Sequence, residues 1–122
     1  MQMFPILLSL ALINTEATAT PSPEGCALRI TETGKMVMLQ GVVDPQDWPH
    51  GTYEMSIVTQ QGSNRSVSRQ TGRFDGSNAK AKDGSLVLST VTMYISDGGR
   101  LAVTLQIEDG DRNQSCSFDY ER

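Results

Sequence analysis

The sequence is poor in the groups on which catalytic and metal sites depend. Its 122 residues include one histidine and two cysteines, and only 20% are Asp, Glu, Lys or Arg. General acid–base catalysis and tight metal binding both need several such side chains at one place. The single histidine, His50, lies in a Pro-His-Gly turn without a patterned nucleophile, so we expect a solvated surface residue. The composition argues against an enzyme and predicts neither a metal nor another cofactor.

Long apolar runs are also missing. The longest, residues 3–13, has eleven residues, whereas a membrane span needs about 20. Ala17-Thr18-Ala19 follows it and has the small-x-small pattern that signal peptidase accepts. We therefore predict a cleaved signal peptide over 1–19, a short linker over 20–25 and a mature domain over 26–122. No Lys or Arg precedes the apolar run, so either the amino group alone supplies the positive charge or the true start lies upstream. A buried N-terminal strand or helix is the alternative to a signal peptide.

Basic residues are fewer than acidic ones, 10 against 14, which gives a net charge of −4. Nucleic-acid binding calls for a basic surface, so the balance argues against it. The charge is unevenly distributed, however. Residues 60–82 contain five basic residues and one acid, whereas residues 83–122 contain three basic residues and seven acids. The basic segment is a candidate surface for an acidic partner.

The two cysteines, Cys26 and Cys116, lie near the two ends of the predicted mature domain. Export would place them in an oxidising compartment, where a disulfide is the usual outcome. A redox role would require a closely spaced pair, which the chain lacks. We predict a bridge that ties the first strand to the last. In antibody domains, by contrast, the bridge joins the two sheets beside a tryptophan.

Apolar residues alternate with polar ones from Cys26 onward, which is typical of half-buried strands. The predicted strands lie near residues 26–30, 36–43, 53–61, 64–74, 86–95, 101–107 and 116–120. The pattern predicts an all-β fold, an immunoglobulin-like β-sandwich of about seven antiparallel strands, with a small barrel as the alternative. Trp48 lies in a Pro-flanked loop, where we expect it to cover an open end of the core. A surface binding role is the alternative for this tryptophan.

The fourth predicted strand is polar and carries three arginines. Because side chains alternate along a strand, Arg65, Arg69 and Arg73 share one face. Ser68 and Gln70 share the opposite face. Two hypotheses fit this pattern and are compatible with each other. The arginines form a docking surface for an acidic extended chain, or they protect an edge strand from pairing with other strands.

Several short motifs in the chain resemble one known family. They are Gly51-Thr52-Tyr53, Gly62-Ser63-Asn64, Ser68-x-Gln70-x-Gly72-x-Phe74, Leu101-x-Val103-x-Leu105 and the late Cys116. Together they resemble the CsgH-type curli assembly chaperones of alphaproteobacteria over about residues 26–118. The resemblance implies a periplasmic immunoglobulin-like sandwich, similar to the CsgC chaperone of enteric bacteria. The enteric relative carries a Cys-x-Cys that this chain lacks, so an oxidoreductase activity does not carry over.

The resemblance also implies a partner, the curli amyloid subunit in an unfolded or extended state. Such a chaperone needs an accessible strand and attractive charge, but it must not template the fibre. We therefore predict client contacts at Arg65, Arg69 and Arg73, with Ser68 and Gln70, made by a monomer that binds neither nucleic acid nor membrane. The alternative is a secreted immunoglobulin-like binding or adhesion module without a role in amyloid control.

Overall fold

The computed structural model describes residues 16–18 and 25–122. The predicted cleavage site after Ala19 and nearly all of the predicted linker lie outside the described residues. Glu16–Thr18, which belongs to the predicted signal segment, forms a short strand. Within the described part of the chain, no helix has the length and apolar character needed to cross a bilayer.

The structure is an all-β sandwich of two antiparallel four-stranded sheets. The strands are β1 (Glu16–Thr18), β2 (Cys26–Thr33), β3 (Met36–Val43), β4 (Gly51–Gln61), β5 (Asn64–Phe74), β6 (Leu86–Tyr94), β7 (Arg100–Asp109) and β8 (Arg112–Glu121). Sheet A has the order β1-β2-β3-β6, and sheet B has the order β5-β4-β7-β8. The prediction of an all-β sandwich is confirmed. The seven strands β2 to β8 correspond to the seven predicted ones, and β1 is an addition to them.

The core lies between the two sheets and is built from every second residue of the strands. In β7, Leu101, Val103, Leu105 and Ile107 are all buried, and the residues between them face outward. Val103 pairs with Ile57 of β4, so the buried rows of neighbouring strands coincide. This match fixes the register, because a slip by one residue would turn the apolar row toward solvent.

The predicted disulfide between Cys26 and Cys116 is present, with the two Cα atoms 6.2 Å apart. It ties the first of the seven predicted strands, β2, to the last, β8. Because β2 belongs to sheet A and β8 to sheet B, the bridge joins the two sheets. Our expectation that it would differ from the antibody arrangement in this respect is wrong. The spacing of two cysteines does not say which sheet their strands enter.

Trp48 covers one end of the core, as predicted. Its side chain is only 1% exposed and belongs to the main apolar cluster. The Arg112 guanidinium lies 4.0 Å from the centre of the indole ring and also donates a hydrogen bond to the Asp47 carbonyl at 2.9 Å. The buried ring offers no surface to a partner, so its role is structural.

The side of the sandwich formed by β5 and β6 is open over part of its length. We call this the open flank and define it by residues 64–69 of β5 and 89–94 of β6. Every residue from 64 to 69 is exposed, although alternate side chains point toward the core side of sheet B. The sheets meet at Gln70, whose side-chain oxygen accepts a hydrogen bond from the Ser89 hydroxyl. Beyond that contact, the first half of β5 extends past the core.

An ion pair fastens the loop of residues 75–85 to sheet A. The Arg29 guanidinium lies 2.5 Å from the Asp83 carboxylate. The hydrogen bond that Arg29 donates to this carboxylate is the main reason, and one from the Ser85 backbone the second, that the pKa of Asp83 falls from its ordinary value of 3.8 to about 2. The loop is therefore attached most firmly when Asp83 is ionised.

The pair has a defined pH dependence. Because the folded-state pKa of Asp83 is depressed, its contribution to stability is present above pH 3.8 and is lost as the pH falls through about 2. We expect an NMR titration of the Asp83 carboxyl to show a midpoint near 2, and the Arg29→Ala variant to return it toward 3.8. An unshifted midpoint in the unmodified protein would contradict the ion pair.

Candidate functional site

The candidate site is on β5, which forms an edge of sheet B. The strand pairs with β4 along its whole length, from Gln61 opposite Asn64 to Gly51 opposite Phe74. The hairpin turns at Gly62, whose φ of 62° lies in the left-handed region that glycine adopts readily. β4 pairs on its other side with β7, so within the described residues the second edge of β5 has no strand beside it.

The register places the three arginines on the outer face of sheet B. Met55 and Ile57 of β4 are buried, and they pair with Gln70 and Ser68. The even positions of β5 therefore point to the core side, and the odd positions point outward. We call the outward row of Arg65, Val67, Arg69, Thr71 and Arg73 the basic face. It spans roughly 27 Å, since a strand rises about 3.4 Å per residue.

The three arginines differ in their ion pairing. The Arg69 Nε atom lies 3.5 Å from the Glu54 carboxylate. In residues 25–122, Arg65 and Arg73 have no carboxylate within ion-pair distance. Arg69 is therefore partly neutralised within its own sheet. Arg65 and Arg73 present their charges to solvent.

The outer face of sheet B is electrically polar from edge to edge. The basic face occupies the β5 edge, whereas Asp119 and Glu121 lie at the β8 edge. Arg100 of β7 lies beside the acidic edge, 3.9 Å from Glu121. The uneven charge distribution seen in the sequence thus becomes a gradient across a single surface, which can orient an approaching charged chain.

An exposed apolar side chain interrupts the basic face. Val67, between Arg65 and Arg69, is 53% exposed and pairs across the strands with Val58. The surface therefore combines positive charge with a small apolar contact, which suits an extended chain that carries acidic and apolar side chains.

Ser68 and Gln70 lie on the opposite side of β5 from the arginines, as the alternation predicts. Ser68 is exposed on the open flank, whereas Gln70 is half-buried and bonded to Ser89. The structure therefore brings the three arginines together and separates them from these two polar residues. A client that contacts both sets must wrap around the β5 edge.

Glu54, the partner of Arg69, was not predicted from the sequence. Glu54 occupies an outward position of β4, but its proximity to Arg69 depends on the hairpin register. The reason for Gly72 was also not predicted from the sequence, because it depends on Tyr53: a Cβ atom at position 72 would come within 2.9 Å of the Tyr53 ring. The histidine prediction is right about exposure, but the His50 Nδ1 atom has a neighbour, the Asp109 carboxylate at 3.5 Å.

These features define a class of protein: a disulfide-tied, immunoglobulin-like β-sandwich with an exposed basic edge strand. No family model and no curated protein matches the chain. Two solved structures do match its fold. The solution structure of CsgH from R. palustris has a TM-score of 0.63 and 22% identity, covering 78% of this chain and 90% of its own. The E. coli curli protein CsgC has a TM-score of 0.60 and 14% identity, covering 77% of this chain and 96% of its own.

The likeness to CsgH and CsgC extends over most of the chain, and at these identities it establishes the fold. The resemblance to CsgH-type proteins predicted from the short motifs is confirmed at that level.

Proposed function

We propose that this protein is a periplasmic chaperone that delays amyloid assembly of a curli-type subunit through transient contacts with the unfolded chain. The fold shared with CsgH and with the curli protein CsgC supports the curli relation. The observation that carries the proposal is the basic face on an exposed edge strand, with Arg65 and Arg73 unpaired by carboxylates in residues 25–122. The predicted signal peptide and the Cys26–Cys116 disulfide support an exported, oxidising location.

An amyloid fibre grows by adding one extended chain after another. Extended chains add to a fibre through their unpaired backbone groups, in stacked strands. A protein that delays this step must hold the chain briefly without offering it a flat edge to extend. Arginines at every fourth position of an edge strand serve both purposes, because they attract an acidic chain from a distance and disfavour continued strand pairing at their own edge.

The contacts on the basic face are solvent-exposed, so they form and dissolve quickly. Arg65 and Arg73 attract acidic side chains of the client, and Val67 offers an apolar contact between Arg65 and Arg69. Exposed ion pairs contribute on the order of 1 kcal/mol or less each. Binding built from such contacts is transient, which allows release of the client for secretion.

Reversal of the basic face tests the proposal. We expect the combined variant Arg65→Glu, Arg69→Glu and Arg73→Glu to require an about tenfold higher concentration than the unmodified domain for the same delay, because it repels an acidic client. The measurement is dye fluorescence during fibre growth of the organism's curli subunit at low ionic strength. Raising the salt should weaken inhibition by the unmodified domain, since exposed charges are screened.

The matched control reverses three exposed cations elsewhere, Lys35→Glu, Lys82→Glu and Arg100→Glu. It changes the net charge by the same amount and leaves the basic face intact, so we expect it to retain much more inhibition than the β5 variant. Equal thermal unfolding of the proteins confirms that folding is preserved. Full inhibition by the β5 variant at low salt would rule out the basic face as the client-binding surface. No delay by the unmodified domain at equimolar ratio would refute the chaperone and favour the binding module.

A further inference from the structure

The open edge of β6 differs from the other outer strands in its lack of charge. The segment from Ser85 to Ser96 contains no Asp, Glu, Lys, Arg or His. In contrast, β5 carries three arginines, and β8 carries Arg112, Asp119 and Glu121. Protected edges usually carry charges, prolines or bulges that prevent another strand from pairing. The β6 edge has no charge from Ser89 to Tyr94 to oppose a new strand.

The hydrogen bonds at the ends of β6 show which of its backbone groups point away from β3, toward the free edge of sheet A. The Ile95 N–H donates to the Lys35 carbonyl at 3.0 Å, toward β3. Because successive N–H groups of a strand alternate in direction, those of Thr90, Thr92 and Tyr94 point away from β3. In residues 16–18 and 25–122, no backbone hydrogen bond reaches the outward groups of these three residues.

The unpaired stretch has definite limits. At its start, the Val87 N–H donates to the Ala79 carbonyl, so the loop of residues 75–85 covers the edge there. At its end, the Gln61 side chain donates to the Tyr94 carbonyl at 3.3 Å. Between these contacts lie the N–H and C=O groups of Thr90 and Thr92, together with the Tyr94 N–H. This is enough backbone for a short added strand.

The open flank leaves room for such a strand. The first half of β5 is exposed on both of its faces, so its Ser66 and Ser68 side chains are not covered by sheet A. The inward side chains of β6 at this point, Val91 and Met93, are half-buried against the core. A strand added beside β6 would cover Val91 and Met93 further and would place its own inward side chains opposite the two serines.

We propose that the β6 edge from Ser89 to Tyr94 adds an extended segment of the client as a further strand of sheet A. The inference rests on the proposed function and says where the client's backbone is held. The segment is uncharged in its centre, because a charge beside Val91 and Met93 would lose its hydration. Ser, Thr, Asn or Gln side chains suit its inward positions, because they can form hydrogen bonds with Ser66 and Ser68. Acidic residues flank it, where the client wraps around the β5 edge to Arg65 and Arg69 on the outer face of sheet B.

A second copy of this chain fits the edge less well. Symmetric pairing of two β6 strands would extend sheet A across a two-fold axis. It would also bring the β5 strands of both copies to the same flank, each with three arginines. Like charges brought together at an interface disfavour association. An acidic client has the complementary charge.

A proline at an outward-facing position tests strand addition. Thr92→Pro removes an N–H that points to the free edge and leaves the bonds to β3 in place, which is where edge strands tolerate proline. Thr92→Ala is the matched control, since it truncates the same side chain and keeps the N–H. We expect Thr92→Pro to need an about tenfold higher concentration than Thr92→Ala for the same delay of fibre growth, because the two variants differ in the N–H at the free edge.

A second measurement uses the unmodified domain and so does not depend on how the proline variant folds. Amide hydrogen exchange at Thr90, Thr92 and Tyr94 should slow when the unfolded curli subunit is added. The amides of β8 that point to the free edge of sheet B should show no change. Equal inhibition by both Thr92 variants, or unchanged exchange at the three amides, would overturn strand addition. The proposed function would still stand if the unmodified domain delays fibres. If exchange at the three amides instead slows as the domain concentration is raised without any curli subunit, a second copy of the domain occupies the edge. That result would overturn the client assignment.

Discussion

Removal of the Cys26–Cys116 disulfide is expected to lower the free energy of unfolding by about 4 kcal/mol. The bridge spans a sequence separation of 90 residues, and a closed loop of that length strongly restricts the unfolded chain. Small domains are stable by only about 5–15 kcal/mol. The bridge therefore supplies a large part of the stability of this sandwich.

The measurement is urea unfolding of the double variant Cys26→Ala and Cys116→Ala beside the unmodified domain. Alanine suits both positions, because the cysteines are 0% and 8% exposed and a serine hydroxyl there would be desolvated. Reduction of the unmodified domain should reproduce the loss, and the double variant should not respond to a reductant. A difference below about 1 kcal/mol would show that packing alone holds β2 to β8.

Truncation of the buried tryptophan is expected to have the second large effect. Trp48→Ala should lower the free energy of unfolding by about 3–5 kcal/mol, the range for large aromatic side chains removed from a core. The ring is 1% exposed at the end of the sandwich. The variant also leaves the Arg112 guanidinium without the aromatic face that it covers.

Two further variants separate the contributions at this end of the core. Trp48→Phe retains an aromatic ring and should lose less stability than Trp48→Ala. Arg112→Ala keeps the ring and should cost about 1 kcal/mol, because it removes the cation–π contact and the hydrogen bond to Asp47. Chemical unfolding followed by circular dichroism measures all three. A Trp48→Ala domain as stable as the unmodified one would contradict the role of the ring in the core.

The disulfide and the Trp48 variants also serve as controls for the proposed function. Neither site lies on the basic face or on the β6 edge. At a temperature where the variants remain folded, we therefore expect them to delay fibre growth as the unmodified domain does. The β5 arginine variant and Thr92→Pro should show the reverse, with stability retained and inhibition reduced. The two sets distinguish loss of folding from loss of client contact.

Local alternation was enough to predict most of β2 to β8 and the two faces of β5. A strand has a side-chain period of two, so the side on which Arg65, Arg69 and Arg73 lie follows from their spacing. The burial of Trp48 was also predictable, because a short Pro-flanked loop connects strands at the end of a sandwich, where a large apolar ring can be buried only against the end of the core. These features depend on residues close together in the chain.

The arrangement of the strands was not predictable in the same way. Whether β8 joins the sheet of β2 or the opposite sheet decides what the disulfide connects. The two cysteines are 90 positions apart, and the local sequence around each one does not determine which sheet its strand joins. The Arg69–Glu54 pair and the Gln70–Ser89 contact likewise depend on which strands are neighbours. Such choices are set by the packing of the whole core.

The sequence by itself therefore determined an all-β chain with two cysteines to link, one buried tryptophan and a strand with a basic row. These properties follow from side-chain alternation and residue type. Only the tertiary structure decided that β5 and β6 are the edges of an open flank, that the bridge joins two sheets, and that part of the charge-free segment from Ser85 to Ser96 has unpaired backbone groups at a free edge. Strand order is a property of long-range pairing, in which all strands compete for the same core.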